Sequence, residues 1–296
     1  MILVTGATGL SGSAVIREFA RQKYPVRALV RDRAKARAFE TFSTVEIVEG
    51  DMLRPETLEA ALNGVDRVIM ISSARERMLQ TQCLFIDVAK KAGVRHIVKF
   101  SGKESGVGFN PENFRSTWEH EHIEDYLENS GLAWTHLRPS QFMQFYLPQA
   151  PTGVDVAEKA LFLSMENARL SPVDIEDIAK VAFALLHSEG HEGKSYDMTG
   201  PEALTMTEVA ERISQATGKP FRYVNIPLEE KRQAWLAAGI PSERVDAVSE
   251  VVSERSKCPE SRVYLDTHEA FGVHPTTFAE FARRNAAIFC GESMPS

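Results

Sequence analysis

The chain of 296 residues carries only three cysteines, Cys83, Cys258 and Cys290. They are scattered and odd in number, so they build no disulfide framework, and their spacing suits no metal ion. A reducing cytoplasm is the expected setting. There is no excess of basic charge: 34 Lys and Arg stand against 41 Asp and Glu, a net of −7. Nucleic-acid binders usually carry a basic stripe, and peripheral membrane proteins a polybasic cluster. Neither is visible, so neither partner is expected. No apolar run approaches the ~20 residues that span a bilayer. The opening Met-Ile-Leu-Val-Thr-Gly has no charged leader or cleavage site, so no signal peptide is expected. Low-complexity tracts and repeats at a fixed period are also missing, which argues against disorder and solenoids.

What is there is an ordinary globular composition, 43% hydrophobic and 25% charged. Short apolar runs at residues 1–5, 26–30, 45–49, 67–71, 96–100 and 133–137 predict strands. Several are almost continuously apolar, as strands covered on both faces are. Longer helical patterns lie between them, at 11–23, 33–42, 55–62, 78–92 and 114–130. Gly64, Gly93 and Gly131 stand just past helix ends, where a left-handed cap suits glycine. This alternation predicts an α/β fold with a doubly wound parallel sheet and helices on both faces. The second half is less regular. A strong amphipathic helix covers 173–187, and strands are expected at 194–198 and 221–226. Thr205 with Glu208, and Thr277 with Glu280, form capping-box patterns. Residues 228–257 read as helical with a break at Pro241. Residues 148–153 read as a seam, dividing a nucleotide-binding domain (1–150) from a smaller C-terminal α/β lobe (151–296) interleaved with the core.

The first strand runs into Gly6-Ala7-Thr8-Gly9-Leu10-Ser11-Gly12. Three glycines at a three-residue step, after a strand and at the start of a helix, suit a dinucleotide pyrophosphate. Gly6 permits the tight turn, Gly9 lets backbone approach the phosphates, and Gly12 lets helix and sheet pack closely. The helix N-terminus offers free N–H groups and a partial positive charge. No Gly-Lys-Ser/Thr follows, which argues against a P-loop NTPase. At the end of the second strand, an NAD binder usually places an acid for the ribose 2′-hydroxyl. Here Arg31 holds that place, followed by Asp32, Arg33 and Lys35. A guanidinium pairs bidentately with a 2′-phosphate, so NADP is the favoured cofactor, with Lys35 adding charge. Asp32 leaves NAD open.

Taken with Arg27-Ala28-Leu29-Val30-Arg31, Glu49-Gly50-Asp51, Ile71-Ser72-Ser73, Lys99-Phe100-Ser101-Gly102 and the stretch from Ser130-Gly131 to Arg138-Pro139, the chain resembles the atypical short-chain dehydrogenase/reductases. Within them it is similar to the NmrA-like and triphenylmethane-reductase-like (quinone-reductase-like) branch. The resemblance spans about residues 1–200. It implies that Asp51 and Met52 flank the adenine, and that Ile71, Ser72 and Ser73 line the path to the nicotinamide ribose. Phe100 and Ser101 are implied beside the nicotinamide, with Gln141 and Phe142 covering the ring. Core packing is the alternative for both phenylalanines.

Ordinary members carry Tyr, three residues, then Lys on the active-site helix. The resemblance puts Ser116 at the Tyr position and His120 at the Lys position. These are four residues apart and share a face. A serine hydroxyl is a far weaker acid than a phenol. His120, Ser101 and Ser116 are therefore the candidate catalytic groups, with His120 either holding the ribose or moving a proton. Trp118 is expected to point elsewhere, His122 to the side opposite His120, and Glu119, Glu121 and Glu124 to form a solvated face.

The resemblance implies a reductase delivering hydride from NAD(P)H to a quinone-like or aromatic conjugated acceptor, or an enzyme tailoring an aromatic natural product. Such acceptors tolerate a weak proton donor. The rival is an NmrA-like redox sensor that binds the dinucleotide without turnover. A sugar-nucleotide epimerase is disfavoured, since that chemistry needs the Tyr. A homodimer is a possible assembly.

Overall fold

The computed structural model describes residues 1–73, 77–103, 105–112 and 114–292. The first half runs β1 (Ile2–Val4), α1 (Leu10–Arg21), β2 (Val26–Val30), β3 (Val45–Glu49), α2 (Glu59–Leu62), β4 (Arg67–Met70), α3 (Met78–Lys91), β5 (His96–Phe100), α4 (Arg115–Glu128) and β6 (Ala133–Pro139). The second half runs β7 (Ala160–Leu163), α5 (Ile175–His187), β8 (Lys194–Met198), α6 (Met206–Thr217), β9 (Arg222–Asn225), α7 (Leu228–Ala237), α8 (Ser242–Ser256), α9 (Asp266–Phe271), α10 (Phe278–Arg284) and α11 (Ala286–Phe289).

Seven strands form one parallel sheet in the order β3-β2-β1-β4-β5-β6-β8. The chain switches direction across the sheet between β1 and β4, where a doubly wound fold opens its ligand crevice. Side-chain alternation assigns the faces. Ile2, Val4, Ala28, Val30, Ile69 and Val98 pack on α1 and α5, with Phe19 of α1 edge-on to Phe183 of α5 at 4.9 Å. Leu3, Leu29, Val68, Met70 and Ile97 pack on α2, α3 and α4. The core of the main sheet therefore takes α5 and β8 from the second half of the chain.

The rest of the second half packs around β7 and β9, a separate parallel pair, with α6, α7, α8, α10 and α11. Strand β7 and helix α9 are not visible as patterns in the sequence. β7 has four residues and finds its partner about 60 residues later, so neither length nor proximity betrays it. The helix expected over 33–42 is a 3-10 helix, Arg33–Thr41. Only Ala36 and Phe39 are buried in it, three residues apart, and that spacing matches three residues per turn. Both capping boxes form, at Thr205 and at Thr277. Among the described residues no helix is long and apolar enough to cross a membrane.

Candidate active site

All strands of the main sheet are parallel, so the loops after β1, β2, β4, β5 and β6 emerge on one edge. The glycine loop occupies the switch point. Gly6 adopts φ +58°, and a Cβ there would sit 2.8 Å from the Ile71 carbonyl oxygen. Gly12 is tighter: a Cβ would lie 2.2 Å from the Gly6 oxygen. At Gly9, φ is an ordinary −81°, and a Cβ would meet only the Gly6 oxygen, at 3.3 Å. So Gly6 and Gly12 serve the loop's own packing, while Gly9 keeps space open in front of α1. Thr5 locks the loop to β4: its Oγ1 donates to the Ile71 carbonyl at 2.6 Å and accepts from the Ile71 N–H at 2.8 Å.

The first turn of α1 has no side-chain cap and no acidic residue. Thr8, Gly9 and Leu10 are exposed and Ser11 is half-buried. An uncapped helix N-terminus behind a glycine that leaves room fits a dinucleotide's phosphates. Arg31 and Lys35 stand exposed at the end of β2, and neither side chain has a partner among the described residues. Asp32 is not available in the same way: its carboxylate accepts the Ala34 N–H at 2.9 Å and caps the 3-10 helix.

The other expected cofactor contacts are distributed unevenly. The Asp51 carboxylate accepts the Leu53 N–H within its own turn, and Met52 is buried in the apolar cluster beneath α2. Ile71 is buried, Ser72 is half-buried with its hydroxyl accepting from Gln82 Nε2 at 2.8 Å, and Ser73 is exposed. Phe100 and Phe142 are half-buried and meet edge-to-face at 6.1 Å. Gln141 is buried, and its side-chain carbonyl has no partner among the described residues.

On α4, Ser116 is half-buried and His120 is 6% exposed, one turn apart on the same side. Trp118 and His122 lie on the outer side, with their rings 3.8 Å apart. The expected solvated face of Glu119, Glu121 and Glu124 does not form: Glu119 and Glu124 are buried and Glu121 is half-buried. Both buried carboxylates are paired with arginines. Arg115 Nε donates to Glu119 at 3.1 Å. Arg138 donates twice to Glu124, from Nε at 3.1 Å and Nη2 at 2.6 Å. Burial is the largest influence and would raise the Glu124 pKa, but the Arg138 hydrogen bonds and charge, with His136 and Ser101, together hold the carboxyl below its usual range.

Three groups that matter here do not stand out in the sequence. Lys99 is the one charged residue in β5; it is fully buried, and its Nζ is 2.8 Å from His120 Nδ1. Gly102 lies against the other ring nitrogen, and a Cβ there would stand 2.5 Å from Nε2. Arg138 anchors the carboxylate beside them. A lysine inside an apolar parallel strand was the available signal. Ser101 is sealed, and its hydroxyl lies toward Glu124 without a hydrogen bond of ordinary geometry. It therefore faces the helix and not the crevice. Desolvation pushes Lys99 down to about 7. Desolvation, with the Lys99 and Lys103 cations, pushes His120 well below its ordinary range.

A hollow at the opposite sheet edge is lined by Arg67, Arg95, His96 and Ala133, at the starts of β4, β5 and β6. It holds none of these groups.

An NAD(P)H azoreductase from Xenophilus azovorans is 38% identical over 292 residues, 98% of this chain and 99% of that one. The crystal structure of an NADPH-dependent quinone oxidoreductase from Escherichia coli, complexed with NADPH, superposes with a TM-score of 0.82 at 27% identity, covering 96% of this chain and 99% of that one. The triphenylmethane reductase of Citrobacter sp., complexed with NADP(H), shares the fold at a TM-score of 0.83 and 24% identity, over 97% and 100% of the two chains. A profile of the NmrA-like family matches residues 1–282, and this chain belongs to that family.

Proposed function

We propose that the chain is an NAD(P)H-dependent oxidoreductase that reduces an electron-poor conjugated acceptor, a quinone or an aromatic dye. The observation that carries this reading is the uncapped α1 N-terminus at the β1/β4 switch point, with Gly9 holding space open before it. The 38% identical azoreductase and the quinone oxidoreductase relatives support the same chemistry. When bound, the reduced nicotinamide supplies the hydride.

The protein's part is positioning. The N–H groups of the α1 first turn receive the pyrophosphate. Arg31, exposed at the β2 end, would receive a 2′-phosphate, and this favours NADPH over NADH. Phe100 and Phe142 offer apolar ring surface where a flat acceptor lies against the nicotinamide. His120 is held neutral by its burial, so it serves as a hydrogen-bond donor to the ribose and not as a cationic acid. Ser116 has no role as an acid at ordinary pH. A quinone reduced by hydride needs little help to gain its proton, so a site without a phenol is sufficient.

NADPH consumption measured against a panel of quinones and azo and triphenylmethane dyes tests the reading. Turnover with several acceptors is expected. Tight NADPH binding without turnover on any of them would point to a redox sensor, and absence of dinucleotide binding would overturn the reading entirely.

A further inference from the structure

Between β5, β6 and α4 lies a buried polar layer for which packing has no need. On this face β5 presents Lys99 and Ser101, β6 presents His136 and Arg138, and α4 answers with His120 and Glu124. The charge on Glu124 is already met by Arg138 through two hydrogen bonds, with Lys103 at 3.8 Å. Lys99 is therefore not required as a counter-ion. Its one hydrogen bond among the described residues is to His120 Nδ1, at 2.8 Å. On the far side of the ring, Gly102 leaves just enough room for Nε2, which has no partner among the described residues.

We propose that Lys99 is a positioning residue for the reductase site: its Nζ donates to His120 Nδ1, fixes the imidazole as the Nε2–H tautomer, and presents that N–H past Gly102 toward the nicotinamide ribose. The inference rests on the oxidoreductase reading above. An ammonium can only donate, so while Lys99 is protonated Nδ1 must accept and Nε2 must carry the hydrogen. Once Lys99 loses its proton, the amine can either donate to Nδ1 or accept from Nδ1–H, so the tautomer is no longer fixed. The donor facing the site is thus enforced at low pH and no longer enforced as pH rises through the Lys99 titration, at about 7.

The neighbouring groups leave Lys99 as the one that titrates there. Glu124 on α4 stays ionised, and Arg138 on β6 stays charged. His136, on β6, is kept neutral by burial. Cys83, on α3, is pushed up to about 11 and remains a thiol. Lys103 and Glu121 pair with each other at 3.0 Å at the rim.

The test compares wild type with Lys99→Met, a substitution of similar length without charge. Long-range nitrogen–proton NMR of the histidine rings reads the tautomer in the protein without ligand. The expected result is an Nε2–H imidazole at pH 6 that gives way to a mixture of tautomers with a midpoint near 7 in wild type, and no such transition in Lys99→Met. With NADPH and 1,4-naphthoquinone, kcat should fall by up to about 10²-fold, the scale of a misplaced site group. Its inflection near pH 7 should vanish while NADPH affinity is little changed. Gly102→Ala displaces the ring without removing a charge, so it should lower kcat but keep the inflection. An Nδ1–H ring at pH 6, or the wild-type tautomer transition persisting in Lys99→Met, overturns the proposal. If wild type reduces no acceptor, the oxidoreductase reading fails, and the NMR result still decides the role of Lys99.

Discussion

Gly9 and Gly12 belong to one motif and make opposite predictions as residues. A valine at Gly9 meets little inside the protein and fills the space before α1. Gly9→Val should therefore keep a native circular dichroism spectrum and lose dinucleotide binding in a fluorescence titration. Gly12→Val drives a Cβ into the Gly6 backbone and should lower the melting temperature as well. A folded Gly9→Val with native affinity would remove the glycine loop from the cofactor site. Arg31 is exposed just past the end of β2. Arg31→Ala should weaken NADPH by about 2–3 kcal/mol, the scale of a charge-assisted hydrogen bond, and leave NADH nearly unchanged. Equal losses for both cofactors would reassign the 2′ position. His120 is neutral and pinned at Nδ1, so a glutamine can accept from Lys99 and still donate. His120→Gln should keep activity within about tenfold of wild type, whereas loss of a general acid costs about 10²–10⁴. A collapse on that scale with intact NADPH affinity would make His120 the proton donor.

At the scale of elements, α4 is unusual in turning polar groups toward the sheet. Its inner side carries Thr117, His120 and Glu124 as well as Ile123 and Leu127. Burying Lys99 against it costs stability, because the ammonium gives up water for one imidazole nitrogen. Lys99→Met should raise the unfolding free energy by about 1–4 kcal/mol at pH 6, the range seen when buried ions are replaced by apolar residues. The sign with pH follows from the direction of the shift. Lys99 is lowered from its usual 10.5 to about 7, so between those values the unfolded chain binds the proton and the folded chain does not. Wild-type stability gains from rising pH across that window, and Lys99→Met lacks this gain. Denaturant titrations at pH 6 and pH 9 check both statements. A less stable Lys99→Met would mean that the lysine is structural.

For the whole molecule, the two cores are joined through the start of α5. Asp174, fully buried, caps α5 by accepting the Glu176 N–H at 3.1 Å and accepts from Gln144 Nε2 at 2.8 Å. It also pairs with Arg284 of α10. Asp177, one turn on, accepts the Thr276 N–H at 2.8 Å. The helix packed under the glycine loop thus also holds the C-terminal elements. Asp174→Ala should cost about 2–3 kcal/mol, less than a fully buried pair, because Arg284 is 41% exposed and keeps Glu176 at 3.1 Å. It should also increase the protease sensitivity of the C-terminal helices. Unchanged stability would show that the apolar contacts alone join the cores.

The sequence by itself determined the parallel sheet, the glycine loop and the basic residue at the β2 end. Each is a local pattern: β2, β3 and β5 coincide with their apolar runs, and Gly6 and Gly12 stand where a Cβ would strike backbone. Both capping boxes were equally legible, because donor and acceptor lie three residues apart. Only the tertiary structure decided the β7–β9 pair and the polar layer under α4. Glu119 and Glu124 look solvated on a helix wheel. Glu119 pairs with Arg115 on its own helix, but the arginine that holds Glu124 lies on a strand 14 residues away. Lys99 and His120 meet across 21 residues, and Gly102 matters only through the ring that fills its empty side. Periodicity tells which face of an element is apolar. A buried charge and its partner are chosen by elements that meet only when the chain has folded.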